Sequence, residues 1–202
     1  MTDRLTVADL EAACRNAMHR DDWGEVERVA AALDRRDVPP RPASLVNAAL
    51  WYAEQGLRVF PLAPGSKIPR KGSAGCKDAT TDAEQIRVWW REDWHANVGL
   101  ATGHLVDVVD FDGALGHAAW SRVFPQADAL VPGAELLATV STPRPGGLHA
   151  YVRAAGAGNR AGMVPGVDYR GAGGYVVAPP SHVDNGSYRF LRPLQPNMRA
   201  YR

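Results

Sequence analysis

The chain has 202 residues, enough for one ordinary domain or a domain with an appendage. Its 23 basic and 22 acidic side chains nearly cancel to a formal charge of +1, which excludes a whole-protein basic footprint for nucleic acid but leaves room for a local patch. The composition, 46% apolar and 22% charged, excludes disordered and collagen-like classes, and no apolar run approaches the roughly 20 residues of a membrane span.

Only Cys14 and Cys76 occur, too few for a disulfide scaffold or a cysteine-rich zinc site, and Met1-Thr2-Asp3-Arg4 opens no apolar signal core. These features predict a cytoplasmic globule. Glycine and proline then divide the chain. Residues 1–38 hold one Gly, Gly24, and no Pro, whereas every Pro lies at or beyond Pro39. The first stretch predicts a helical hairpin, with Thr6/Asp9 and Asp22/Glu25 as helix starts. Its apolar stripes are Val7, Leu10, Cys14, Ala17 and Met18, then Val26, Val29, Ala30 and Leu33. Residues 39–42, Pro-Pro-Arg-Pro, form a stiff linker, and residues 43–202 form the main domain.

The main domain opens with a predicted helix near Ala43–Gln55, closed by Gly56, and a strand at Leu57–Phe60. A loop follows that holds all three lysines, Lys67, Lys71 and Lys77, with Arg70 and no acid before Asp78. It lacks the Walker A spacing, and the chain also lacks a dinucleotide-binding glycine fingerprint. Thr81 with Glu84 predicts the start of a helix through Trp89 and Trp90. Strands are expected at Asn97–Ala101, Leu105–Phe111, Leu136–Ser141, Leu148–Arg153, Gly174–Ala178 and Tyr188–Leu191, with a helix at Ala114–Phe124. This order argues for an α+β domain.

Three segments carry the chemistry. In Val106-Asp107-Val108-Val109-Asp110-Phe111-Asp112-Gly113, an apolar strand accepts acids, which is costly without partners. Residues i and i+2 of a strand share a face, so Asp110 and Asp112 would point the same way about 6.6–6.8 Å apart. Two such carboxylates can grip one or two Mg²⁺ ions and serve phosphoryl transfer from a nucleotide; the plain alternative is an edge strand with solvated acids. The second segment, Thr142-Pro-Arg-Pro-Gly-Gly147, leads into a strand whose one face carries His149, Tyr151 and Arg153, an anion- or aromatic-binding set. In the third, Gly166-Val-Asp168-Tyr-Arg170-Gly171, another acid sits in a short strand; Asp168 would complete a metal cage and Arg170 would suit a phosphate. A glycine-rich hairpin with a salt bridge is equally open there.

Taken in order, these segments resemble the N-terminal domain of bifunctional primase–polymerases, a branch of the archaeo-eukaryotic primase superfamily. The likeness begins at Ala48–Gly56 and Val59–Pro69. It runs through Lys77–Asp82, Ile86 with Trp89-Trp90, and Ala96–Gly103, and ends with the three acid- and glycine-bearing segments up to Ala178-Pro-Pro-Ser181. The resemblance implies an RRM-like mixed sheet that carries the acids, with a smaller α/β module before it. It implies a template-dependent DNA primase/polymerase that transfers nucleotides from dNTPs or NTPs on single-stranded DNA, in replication of a phage, plasmid or mobile element. Two Mg²⁺ or Mn²⁺ ions would be held by Asp110, Asp112 and Asp168. His149, Arg170, Ser181 and Lys67 map to positions near the incoming nucleotide, and Arg144 and Lys71 are candidate template contacts. The hairpin lies outside the likeness and would dock a helicase or other replication partner.

Departures accompany the resemblance. Pro-Arg-Pro-Gly-Gly stands where Pro-Ser-Gly-Gly is usual, Ser73–Cys76 replaces a stretch that often carries a histidine, and the zinc-binding insertion of some relatives has no cysteines here. No helicase-like region precedes Arg202, so the chain reads as a stand-alone polymerase or one cut near that residue. Two rival classes stay open. Val108–Leu115 also looks like the nucleophile motif of haloacid dehalogenase-type phosphatases, although no Lys follows Lys77. A non-catalytic module could instead hold single strands by stacking on Trp89, Trp90 or Trp94, though three acids at one site would repel phosphate.

Overall fold

Ser44 opens the first described helix, α1 (Leu45–Glu54): its hydroxyl accepts the Asn47 N–H, and Gly56 ends the helix at φ +86°. The computed structural model describes residues 44–123, 135–183 and 186–194, with Arg28 alone ahead of them. The hairpin expected over 1–38 and the linker at 39–42 therefore lie outside the described residues. The elements continue as β1 (Val59–Leu62), a 3₁₀ turn (Gly75–Lys77), α2 (Ala83–Glu92), β2 (Asn97–Ala101), β3 (Val106–Phe111) and α3 (Gly113–Val123). After them come β4 (Leu136–Ser141), β5 (Leu148–Arg153), β6 (Arg160–Val164), β7 (Val167–Arg170), β8 (Tyr175–Val177), β9 (His182–Val183), β10 (Gly186–Ser187) and β11 (Arg189–Arg192).

The fold is mixed α+β, with three α-helices among the described residues and antiparallel sheets throughout. A six-stranded sheet runs β11-β4-β5-β3-β7-β6, a three-stranded sheet runs β1-β2-β8, and β9 pairs with β10. Strands β3 and β4 both run antiparallel to β5, which lies between them, so they are parallel to each other. A continuous core joins the sheets. Val106 and Val108 of β3 and Tyr151 of β5 share it with Phe60, Leu100 and Val176 of the small sheet and with Trp90 of α2.

Several boundaries differ from the sequence expectations for local reasons. β1 sits two residues later than Leu57–Phe60 and contains Pro61; it is the edge strand of the three-stranded sheet, a position that tolerates a missing N–H. The cap of α2 is Asp82 rather than Thr81, its carboxylate accepting the Glu84 and Gln85 N–H groups. The acids do not lie on an edge strand: β3 is paired on both sides. β6, β9 and β10 carry no apolar alternation and were not expected.

The far face of β3 holds a buried acid. Asp107 is fully buried, with Oδ2 accepting the Tyr169 hydroxyl at 2.5 Å and the Ala155 N–H at 2.8 Å, while Oδ1 has no partner. Tyr169→Phe would take away a charge-facing donor, and a carboxylate left short of hydrogen bonds in the interior is expensive. The expected loss is about 1–3 kcal/mol in urea unfolding; an unchanged midpoint would show that Ala155 alone suffices.

Candidate active site

Three adjacent strands bring the acids and the imidazole into one row. Asp110 of β3 faces His149 of β5 on one side and Asp168 of β7 on the other, each in direct register. Opposed residues of an antiparallel pair share a face, so the row points one way. Alternation along β3 puts Val106 and Val108 behind Asp110 in the core, while Phe111 turns to the opposite face and meets Trp120 of α3 edge-on at 5.2 Å. A cleft of about 360 Å³ opens in front of the row.

Asp112 lines the cleft beside Asp110, although not as a strand residue. β3 ends at Phe111, and Asp112 leads into α3, its N–H donating to the Gly166 carbonyl at 2.7 Å and its carbonyl accepting the Gly116 N–H at 3.1 Å. Its carboxylate is half-exposed and pairs with Arg144 at 3.1 Å. Arg144 comes from the β4–β5 turn, where Thr142 N–H donates to the Gly147 carbonyl and Gly147 N–H to the Arg144 carbonyl. Gly147 is required there because a Cβ would stand 2.1 Å from Thr142 Oγ1. The close approach those glycines permit is thus to their own turn, which presents Arg144 at the cleft.

Arg170 is the shared cation of the row. Its Nη2 lies 2.8 Å from Asp168 Oδ2 and 3.7 Å from Asp110 Oδ2. The other Asp168 oxygen accepts the Gly162 N–H at 2.7 Å, so both of its oxygens are engaged. Among the described residues no three His, Cys, Asp or Glu side chains converge closely enough to hold a metal ion. The donor chemistry of Asp110 and Asp112 nevertheless fits a hard divalent cation: both are carboxylates, both line the cleft, and their ion-pair partners among the described residues are arginines and a histidine.

Burial raises the Asp110 carboxyl above the ordinary range; Arg170 pulls the other way, Asp168 adds to the rise, and Lys67 opposes it. His149 is pushed down to about 3 by burial, with Lys67 acting in the same direction and Asp112 against it. Its Nε2 lies 3.5 Å from Asp110 Oδ1, but a neutral imidazole makes this contact a polar one rather than an ion pair. Nδ1 is buried without a hydrogen-bond partner.

The remaining sequence candidates divide. Lys67 lines the cleft, its Nζ 6.0 Å from the Tyr188 ring centroid. Ser181 is fully buried outside it, where Oγ accepts the Val98 N–H at 2.8 Å and ties the β8–β9 connection to β2. Lys71 is exposed on the loop after β1 and does not line the cleft. Tyr151 is core and packs against Phe190, while Arg153 stands at the far end of β5 opposite Val106, so only His149 of that face reaches the site. Sequence reasoning missed Tyr188, Asn159, Cys76 and Thr142, all of which line the cleft. Tyr188 stacks obliquely on His149 at 5.6 Å, and burial first, then Asp110 and Asp112, raises its hydroxyl above the ordinary tyrosine range. The glycines around Asn159 were its only sequence signal; its Oδ1 accepts the Gly171 N–H at 3.1 Å.

A family model described as the N-terminal domain of bifunctional DNA primase/polymerases, Prim-Pol, matches residues 49–199. The chain belongs to this family. No curated protein matches it. The Prim-Pol match takes in every cleft residue from Lys67 to Tyr188 and leaves the first 48 residues outside. The family is one of DNA primase/polymerases, nucleotidyl transferases whose substrates are nucleotides and nucleic acid. No described helix is long and apolar enough to cross a membrane.

The neutral His149 has a measurable consequence in metal-free buffer. The unfolded imidazole takes up a proton near pH 6.5 while the folded one stays neutral down to about 3. Unfolded chains then bind more protons, so stability falls as pH drops below 6.5. Compared with His149→Gln in urea unfolding, wild type should lose about 1.4 kcal/mol per pH unit once well below pH 6.5. Parallel curves for the two proteins would mean that the folded imidazole titrates normally.

Proposed function

We propose that this Prim-Pol chain is a template-dependent primase/polymerase that transfers nucleotidyl groups from dNTPs or NTPs on single-stranded DNA. The observation that carries the reading is the in-register row of His149, Asp110 and Asp168, in which His149 and Asp110 line the cleft beside Asp112 while Asp168 stands behind Arg170. The strand order β4-β5-β3-β7, with parallel β3 and β4 separated by β5, supports the RRM-like reading of the sheet. A role in replication of a phage, plasmid or mobile element belongs to the same proposal.

In this reading Asp110, Asp112 and Asp168 hold two Mg²⁺ or Mn²⁺ ions. When bound, those ions supply Lewis-acid stabilisation of the phosphates and lower the pKa of the attacking 3′-hydroxyl. The chain's own groups do the rest. Lys67, Arg144 and Arg170 face the cleft as phosphate-binding cations, and charge-assisted contacts of this kind orient the triphosphate for in-line attack. His149, neutral and with Nδ1 unsatisfied, can hydrogen-bond a nucleotide group without adding charge. Tyr188 and Tyr175 wall the cleft and limit water around the reacting phosphates.

The direct test is incorporation of labelled nucleotides on single-stranded DNA with Mg²⁺ or Mn²⁺, with and without an annealed primer. Wild type should give metal-dependent products, and Asp110→Ala/Asp112→Ala should reduce them by about 10²-fold or more. A wild type that binds the strand yet extends nothing would move the reading to a binding module. Release of phosphate from a small phosphoester would favour the phosphatase chemistry instead.

Arg170 offers a second check, because it occupies the space between two of the proposed ligands. Arg170→Gln removes a positive charge beside Asp110 and Asp168. In Mn²⁺ titrations followed by electron paramagnetic resonance, the nucleotide-free variant should bind the ion several-fold tighter than wild type, while its KM for nucleotide rises. Equal Mn²⁺ affinity would place the ion away from this pair.

A further inference from the structure

Of the tryptophans that open the Trp-rich stretch, Trp90 is core: it is 2% exposed, and its Nε1–H donates to the Ala96 carbonyl at 2.9 Å. Trp94 is the reverse. It is 71% exposed, the most exposed large apolar side chain among the described residues, with Ile68 next at 68%. Both flank one ion pair. Arg70, two residues after Ile68, bonds Glu92 at 2.7 Å, and Trp94 follows Glu92 by two residues. Across the same junction, Asn97 Nδ2 donates to the Ser66 carbonyl at 3.0 Å. The loop after β1 and the α2–β2 turn are thereby held side by side.

The turn that carries Trp94 is fixed. Asp93 Oδ1 accepts the His95 N–H at 3.1 Å, the Asp93 carbonyl accepts the Ala96 N–H at 3.2 Å, and Trp90 pins the Ala96 carbonyl from the core. His95 lies against the Trp94 ring with centroids 3.6 Å apart. An indole displayed on a rigid turn loses little freedom when it is covered. Around it Lys71 and Arg91 are exposed, and of the two neighbouring acids Glu92 is taken by Arg70 and Asp93 accepts the His95 N–H. The same loop runs directly into the cleft at Lys67.

We propose that Trp94, flanked by Ile68 and the cations of the Ser66–Lys71 loop, is a stacking platform for a base of the single-stranded template on its way to the cleft. Exposed aromatic rings beside a basic track are how proteins hold single strands without reading sequence, and every base offers a π-face. Continuity with Lys67 selects the template strand, not a protein partner, as the occupant. The proposal rests on the polymerase reading for the direction of the strand, though not for its binding.

The test uses the full chain and fluorescein-labelled (dT)₁₂, with affinity read by anisotropy and tryptophan emission followed in the same titrations. Stacking of one base contributes about 1–3 kcal/mol. Trp94→Ala should therefore weaken binding by about 5- to 150-fold, with melting temperature and nucleotide affinity unchanged. Trp94→Phe should restore most of the affinity, and the emission quenching expected of wild type on binding should be largely lost in it. Equal oligonucleotide affinity in Trp94→Ala overturns the platform and leaves the polymerase reading intact. Loss of nucleotide affinity or of stability together with DNA binding also overturns it, since the effect would then be global. If the wild type makes no product but its DNA binding depends on Trp94, the platform stands and the polymerase reading fails.

Discussion

Acids in the interior of a sheet must be matched, and the architecture of this protein follows from how β3 is matched. Its two faces solve the problem differently. On the far face Asp107 is anchored through Oδ2 by the Tyr169 hydroxyl and the Ala155 N–H, which makes it part of the scaffold. On the cleft face Asp110 meets no donor closer than His149 at 3.5 Å and Arg170 at 3.7 Å, and burial raises its carboxyl. A buried carboxylate held at arm's length from its counter-ions gains from any closer cation. The same strand thus carries an acid tied into the scaffold through one oxygen and an acid left to the cleft, on opposite faces and three residues apart in sequence.

The cleft needs both sheets. The large sheet supplies the row of Asp110, His149 and Asp168 with Arg170, while the small sheet brings Tyr175, Val176 and Val177 of β8 to the opposite wall. What keeps the sheets in place is a set of polar ties within an apolar junction. The Tyr52 hydroxyl donates to the Pro179 carbonyl at 2.8 Å, Ser181 accepts from Val98, and Asn97 bonds both the Ser66 and the His182 carbonyls. Ser181, which the resemblance placed near the nucleotide, is one of these ties. Its position two residues after Pro179 fixes where the β8 wall ends, so it shapes the cleft without facing it.

Much of this was legible because period-two alternation is strong where a strand is central. β2, β4 and β5 have the expected bounds, and the register of Asp110 with Asp168 follows from short strands that end in glycine turns. Failures cluster where local chemistry offered two answers. Thr81/Glu84 and Asp82/Gln85 both fit a helix start, and the carboxylate won the cap. The strand expected to end at Phe60 runs on through Pro61 to Leu62, because an edge strand tolerates a proline. Tyr151 alternates with His149 and shares its face, yet one step further along β5 that face is already under the small sheet, so the phenol is core. Tyr188 and Asn159 reach the site through tertiary packing, and only the glycines beside Asn159 hinted at it.

The charges that surround the cleft bear on which chemistry it favours. Asp110, Asp112 and Asp168 are set against Lys67, Arg144 and Arg170, three of each sign, with His149 neutral between them. Each arginine is bound to an acid, so the site is close to electroneutral as it stands. A nucleoside triphosphate brings several negative charges into this partly buried space, where unpaired charge is costly. If the arginines turn to the phosphates, the carboxylates lose their counter-ions; if they stay, the phosphates lack theirs. Divalent cations held by Asp110 and Asp112 would meet both deficits at once. A module built only to hold a strand would be better served by removing the acids, and the presence of Asp110 and Asp112 at the cleft supports the catalytic reading over the binding one.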